Sequence, residues 1–303
     1  KTNFRRVRQT WPLRRNEKFR QADWEAAKRT AVREMASWRY AAASIAESRA
    51  TVDPATNRVS LLIDIDSGPP FRFGEVRISA TKRYPQDLVA NLSPIRPGDD
   101  YDRDKVLLYQ RRPLETGYFA SVQADIEAQP SVADSAPLRV SVIEASSQHF
   151  ETGLSYNTDV GLRAEIGYTN QDIFDSSWRF RSALKLDQKI QDARLDFDSP
   201  PTPGAKWYNF FTSARRQDIQ NEETREFAVG MARNSGFERT PSAVLLSWHL
   251  EEQRVLGEAP DTRFAVYLGF RRTFRHTDDI VSPRNGYYAT FEIGGTPGEP
   301  LAS

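Results

Sequence analysis

Three histidines and a few adjacent carboxylates are the side chains in this sequence whose types suit acid–base or metal chemistry. His149, His249 and His276 fall in different segments, with no metal-ligand spacing among them. The pairs Asp99-Asp100, Glu251-Glu252 and Asp278-Asp279 stand at predicted turns or strand ends, where water solvates them. The chain has no cysteine, which excludes disulfides and thiolate zinc sites. It has no Gly-x-Ser-x-Gly elbow, no P-loop and no dinucleotide fingerprint. The reading is therefore no enzyme, no cofactor and no metal. What remains is the chemistry of the backbone, whose strand-edge N–H and C=O groups can pair with another strand.

The elements that position such an edge change character at Val140–Gly161. Before this seam, helical and strand-like segments recur with a period of about 80 residues. The later copy begins with Phe73 to Ser79, where Val76 and Ile78 alternate with polar residues as in a strand. Tyr84 to Leu92 reads as a short helix ended by Pro94 and Pro97-Gly98. Asp102 to Thr116 reads as a longer helix with Val106, Leu107, Leu114 and nearby Tyr109 on its apolar side, and Gly117 as its cap. Strands at Tyr118 to Glu127 and Leu138 to Glu144, separated by a loop over Pro130 to Pro137, complete the order β-α-α-β-β.

The earlier copy repeats this order without its first strand. Trp11-Pro12-Leu13-Arg14 parallels Ser93-Pro94-Ile95-Arg96; Asn16 stands for Gly98 and Phe19 for Tyr101. Its long helix, Asp23 to Ser37, sets Trp24, Ala27, Ala31 and Met35 on one stripe. Strands follow at Tyr40 to Arg49 and Val59 to Asp66, the latter with Val59, Leu61, Ile63 and Ile65 on one face. The domains are thus 1–69, an incomplete copy; 70–146, a complete one; and 147–303.

That last region reads as about nine alternating strands, near 149–157, 161–169, 177–187, 190–198, 206–216, 223–233, 242–252, 262–274 and 286–294. Trp178, Phe180, Leu184 and Leu186 share a face opposite Arg179, Arg181, Lys185 and Asp187. Phe264, Val266, Leu268 and Phe270 do the same in their strand, as do Val244, Leu246, Trp248 and Leu250. A membrane barrel turns the apolar face to lipid, whereas a soluble sandwich turns it inward; both have period two. Strand lengths of about 9–12 residues suit a tilted crossing. Aromatics near strand ends (Tyr168, Trp178, Trp207, Tyr208, Tyr287, Tyr288) suit interface girdles. Hydrophobic residues are 39% of the chain, mean hydropathy is −0.63, and the longest apolar runs are a few residues, such as Ala41-Ala42-Ala43, so no segment approaches the about 20 apolar residues of a membrane helix.

Net charge is +1, which gives no case for nucleic acid. Residues 1–49 carry 13 Lys or Arg against 5 Asp or Glu. This basic face suits an anionic lipid or an acidic partner, or is simply solvated. The chain opens at Lys1 in mid-pattern and closes at Ser303 just after a strand, which reads as a piece with both ends missing.

Gly74-Glu75-Val76, Pro97-Gly98-Asp99-Asp100-Tyr101 and Gly117-Tyr118-Phe119-Ala120-Ser121-Val122 resemble the landmarks of a POTRA domain, the periplasmic module of outer-membrane assembly proteins. The earlier copy departs from them, with Arg39-Tyr40-Ala41 where Gly-aromatic-aromatic is usual. Glu151-Thr152-Gly153-Leu154-Ser155-Tyr156-Asn157-Thr158-Asp159-Val160-Gly161 resembles the first barrel strand and turn of the TamA-like assembly factors, relatives of BamA in the bacterial surface-antigen superfamily. The resemblance implies α+β POTRA repeats followed by all-β antiparallel transmembrane strands, about nine of sixteen. The family's Arg-Gly-aromatic loop motif and aromatic-ended final strand are not in this sequence.

The resemblance also implies location and partners: a barrel in the outer membrane in contact with its lipid, POTRA domains in the periplasm, nascent barrel and autotransporter clients, and an inner-membrane-anchored TamB-like partner. It implies no nucleic acid. The first barrel strand pairs with the last in such barrels, so a weak seam there is a lateral gate. Its client-pairing residues are Gln148, Phe150, Glu151, Thr152, Gly153, Leu154, Ser155, Tyr156 and Asn157, with Gly153 lowering strand stability. His149 reads as a periplasmic-rim residue. Alternatives are a two-partner-secretion-type export pore, the barrel appendage of an outer-membrane lipase, and a soluble periplasmic binding protein. Ending at Ser303 leaves an unpaired edge near Gly286–Gly295, so this chain alone is not expected to be a working barrel.

Overall fold

The computed structural model describes residues 2–15, 17–158, 161–219, 222–236, 240–277 and 285–296. In chain order the elements are α1 (Thr2–Thr10), α2 (Gln21–Met35), β1 (Ser44–Asp53), β2 (Arg58–Asp66), β3 (Phe73–Ser79), α3 (Gln86–Ala90), α4 (Arg103–Thr116), β4 (Phe119–Ile126), a 3₁₀ turn (Pro130–Ser135) and β5 (Ala136–Glu144). Nine strands follow: β6 (Gln148–Asn157), β7 (Gly161–Ile173), β8 (Trp178–Leu186), β9 (Ile190–Asp198), β10 (Lys206–Ile219), β11 (Glu222–Ser235), β12 (Ser242–Val255), β13 (Asp261–Thr277) and β14 (Gly286–Gly295). All nine strands read from the alternation are present. Asn16, Asp278-Asp279 and the end at Ser303 lie outside the described residues. Two units are formed: Lys1–Thr81 with Ser93–Leu114 and Ser121–Ile143, and Lys82–Leu92 with Glu115–Ala120 and Glu144–Ser303.

In the first unit, α2 buries Trp24, Ala27, Ala31 and Met35, the stripe its 3.6-residue period requires. Trp11 meets Trp24 edge-on at 6.2 Å. The expected strand from Tyr40 begins instead at Ser44, because residues 36–43 turn: Arg39 takes φ 67, and Ala43 donates to the Tyr40 carbonyl at 3.0 Å. Arg39 adopts the left-handed conformation that the usual glycine would supply, at a cost of about 1 kcal/mol. That turn ties the two copies together. Arg39 N–H donates to Tyr101 O at 2.8 Å, Phe71 N–H to Arg39 O at 2.6 Å and Arg103 N–H to Ser37 O at 2.9 Å. β1 and β2 form a two-stranded antiparallel hairpin. Val59, Ile63 and Ile65 are half-buried on it, whereas Leu61 is exposed. Asp53 closes its turn by accepting from Ala55 N–H at 3.0 Å and from the Thr56 hydroxyl at 2.7 Å, and these bonds hold its carboxyl below the ordinary range.

The complete copy has the expected order, and its sheet runs β3-β5-β4 with β3 parallel to β5. Phe71, Phe73, Ala136, Leu138 and Val140 are fully buried. Gly74 is dictated by a close approach, since a Cβ there would lie 2.5 Å from Ser135 O. α4 corrects the sequence reading. Its buried face is Val106, Tyr109, Pro113 and Thr116, and Leu107 and Leu114 point outward. Positions i, i+3, i+7 and i+10 share a face, while Leu107 and Leu114 fall one position to the side. Burial pushes the Tyr109 hydroxyl up to about 12. Gly117 has φ 81, the left-handed cap that ends α4.

The second unit is dominated by one antiparallel sheet in the order β14-β13-β12-β11-β10-β9-β8-β7-β6. Its registers line residues up across the strands. One row runs Thr152, Ile166, Leu184, Ala193, Ala214, Phe227, Leu250, Phe264, and the adjacent row runs Gly153, Glu165, Lys185, Asp192, Arg215, Glu226, Glu251, Arg263. The first row lies on an apolar face and the second on a charged one.

Burial identifies which face is outside. Buried polar residues of the sheet region are Gln171, Ser177, Asp196, Asp198, Ser247 and Thr273, whereas its exposed side chains include Phe150, Leu154, Leu162, Phe227, Leu268 and Ile293. A water-soluble sheet sorts the other way, since Asp is almost never buried unpaired and large exposed apolar patches mark interaction with another phase. Beyond the apolar band, the outer face ends in a chain of ion pairs, Arg216–Glu223–Arg225–Glu252–Arg254. Trp207 and Tyr288 depart from the girdle expectation. Each neighbours an aromatic on the opposite face and shares the charged face, Tyr288 lying under Arg275 at 5.5 Å.

Candidate strand-pairing edge

β6 is the terminal strand of the sheet. One edge pairs with β7 along its whole length, from Gln148↔Asn170 through Glu151↔Gly167, Thr152↔Ile166, Gly153↔Glu165 and Ser155↔Arg163 to Asn157↔Gly161. Its other edge has no strand partner among the described residues. The nine residues read as a pairing strand all lie on β6. Phe150, Leu154 and Tyr156 stand 74%, 79% and 76% exposed on the apolar face. Phe150 is anchored sideways through an aromatic ladder: Tyr168 at 4.9 Å, then Phe180 at 6.2 Å, then Phe197 at 4.9 Å.

Gly153 is not demanded by sterics. Its φ is not left-handed, and the nearest atom to an added Cβ is Glu165 Cβ at 3.8 Å, an ordinary contact. What glycine contributes at this position is a missing cross-strand side chain and greater backbone freedom, both of which weaken the β6–β7 ladder.

The entry to β6 is held firmly. Ala145 N–H donates to Tyr118 O at 2.9 Å, and Gln171 N–H to Ser147 O at 2.7 Å. Tyr118 OH donates to Ser177 O at 2.7 Å, and burial raises its hydroxyl pKa. Arg179 donates to Thr116 O at 3.0 Å while pairing with Asp198 at 2.9 Å; Arg181 reaches the same Asp198 oxygen at 3.0 Å. Asn209 donates to Asp198 at 2.9 Å and to Asp196 at 3.2 Å. Glu144, just before the entry, accepts from Lys82, Arg83 and Tyr84 N–H at 2.7, 2.8 and 3.2 Å. Desolvation opposes its charge, and the three donors outweigh it, so its carboxyl lies below the ordinary glutamate value.

Sequence reasoning missed this polar anchor, because its partners Tyr118 and Ser177 are 59 residues apart. The one available signal was Asp196-Phe197-Asp198, two carboxylates on the inward phase of a strand.

The histidines remain apart. His149 is exposed with Nδ1 2.7 Å from Gln148 O, His249 Nε2 lies 2.8 Å from Ser247 Oγ, and His276 stacks on Tyr287 at 5.6 Å. Asp99 pairs with Lys105 at 2.8 Å, and Asp100 lies 3.5 Å from Arg39. Among the described residues no group of three or more His, Asp or Glu is placed to hold a metal ion. What the site offers is strand-edge hydrogen bonding beside an apolar face.

Comparison with known proteins agrees with this geometry. Residues 71–145 match the POTRA family, surface antigen variable number repeat. The BamA structure from Haemophilus ducreyi lacking POTRA domains 1-3 superposes with TM-score 0.70 at 11% identity, over 99% of this chain and 62% of that one. CdiB from Acinetobacter baumannii gives 0.48 at 14% identity, over 97% and 58%. The chain thus spans under two thirds of either structure. Residues 71–145 are a POTRA domain, and the chain as a whole has the fold of a POTRA-bearing partial barrel like that of BamA.

Proposed function

We propose that this chain belongs to an outer-membrane assembly factor of the TamA-like kind, which helps translocate and insert autotransporters and other barrel proteins by pairing their strands with β6. The observation that carries the reading is the inside-out sheet. Its buried polar side chains, Asp196, Asp198, Ser247 and Thr273 among them, lie on the face opposite exposed Phe150, Leu154, Phe227 and Leu268, and its first strand holds a glycine that neither sterics nor φ requires. In hydrocarbon an open edge costs several kcal/mol per unpaired group, so such an edge is occupied by a strand, either the barrel's own or a client's. On this reading Phe150, Leu154 and Tyr156 guide the apolar side chains of the client, and Glu151, Gly153 and Ser155 face the wet interior. Gln148, Thr152 and Asn157 complete the ladder. The POTRA domain lies in the periplasm, where a TamB-like inner-membrane-anchored protein meets it.

The test is site-directed crosslinking during assembly. Leu154→Cys, in a chain with no other cysteine, is expected to form a disulfide with a cysteine in the client's terminal strand. Absence of any crosslink from positions 148 to 157 would refute pairing at this strand.

A further inference from the structure

The sheet and POTRA arginines with charged neighbours contrast with those at the start of the chain. Arg163, Arg179, Arg194 and Arg271 each pair with a carboxylate within 3.0 Å. Arg5, Arg6, Arg8, Arg14, Arg15 and Arg20 are all exposed, as is Lys18, and among the described residues none has a carboxylate partner. The single acid within this stretch, Glu17, is engaged by the backbone N–H of Arg14 at 3.3 Å. The polarity extends to the whole sequence. Residues 1–49 hold 13 Lys or Arg against 5 Asp or Glu, and the remainder holds 29 against 36.

The cations have a side. At 100° per residue, Arg5, Arg6 and Arg8 fall within an arc of about 160° on α1, and half-buried Val7 lies opposite. Arg14, Arg15, Lys18 and Arg20 follow in the irregular segment that leads into α2, each exposed. Six of the seven are arginines, whose planar fork binds phosphate oxygens two at a time.

We infer that this face docks on anionic phospholipid headgroups. The inference rests on the membrane reading of the sheet. A protein partner is the weaker match, because protein interfaces draw affinity from buried aromatic and apolar anchors with charges at the rim. These cations surround no such anchor: Trp11 packs on Trp24, and Val7 lies on the opposite side. A headgroup layer is fluid and meets scattered cations wherever they stand, each one adding to the attraction.

The experiment uses the whole protein inserted in vesicles, with Gln9→Cys on α1 carrying an environment-sensitive dye. Heat-modifiable mobility of the same sample reports insertion of the sheet, so failure of the membrane reading is seen separately. In phosphatidylcholine mixed two to one with phosphatidylglycerol, the dye is expected to shift to the blue and lose access to an aqueous quencher. Raised salt should reverse this. R5Q/R6Q/R8Q should lower the docked fraction at least about tenfold. R14Q/R15Q, outside any helix, should lower it too. Equal emission in phosphatidylcholine alone, or a shift that appears only on adding polyglutamate, would overturn the inference.

Discussion

The POTRA domain and the nine-stranded sheet use the same two-residue alternation and bury opposite halves of it. In β5, Ala136, Leu138, Val140 and Val142 are buried and the residues between them face out. In β12, Val244, Trp248 and Leu250 are exposed, whereas Ser247 is 1% exposed. Periodicity sets which residues share a face, and the surrounding phase sets which face is hidden. On the proposed membrane reading the two folds share one code and meet two solvents: water around the POTRA domain, and hydrocarbon around the exposed band of Phe150, Leu184, Phe227, Trp248 and Phe264.

The largest effect is expected in the POTRA core. Phe73→Ala removes a fully buried ring and should cost about 3–5 kcal/mol, read as a fall in the domain's unfolding midpoint. Val229→Arg is next. Val229 is 42% exposed on β11, so in a water-soluble sheet the change stays within about 0.5 kcal/mol. Facing hydrocarbon it should cost about 2–4 kcal/mol, seen as loss of the heat-modifiable form.

Glu144→Gln should cost about 1 kcal/mol, since three backbone donors lose a charged acceptor. Because its folded pKa is depressed below 4.5, the charge contributes fully above that value. The contribution disappears as pH falls through the lower folded value. Acid titration of stability should therefore be flatter in the variant. The smallest effect is expected at Gly153→Ala, which fits the space available. It should stabilise β6 by about 0.5–1 kcal/mol and slow client exchange; faster exchange would contradict a weakened strand.

Much of this was legible in the sequence because it is local. The α2 stripe Trp24, Ala27, Ala31, Met35 and the nine strands follow from periods of 3.6 and 2. The turned face of α4 was not legible, because Leu107 and Leu114 are apolar in type yet lie beside the buried stripe, and Pro113 fills it instead. Nor was the anchor joining Tyr118 to Ser177 and Arg179 to Thr116, where contacts close across 59 and 63 residues. Adjacent aromatics such as Tyr287-Tyr288 misled for a simpler reason: neighbours on a strand must face opposite ways. The choice between lipid outside and water outside required burial, which alternation alone does not carry.

The most direct test of the account is a single-cysteine scan of β13 from Arg263 to Phe270 in vesicles, using a membrane-impermeant maleimide and a lipid-soluble one. The account predicts that positions 264, 266, 268 and 270 react only with the lipid-soluble reagent, and 263, 265 and 267 with the aqueous one. The same two-residue period with the opposite phase would mean a sheet with its apolar face inside, and would contradict it.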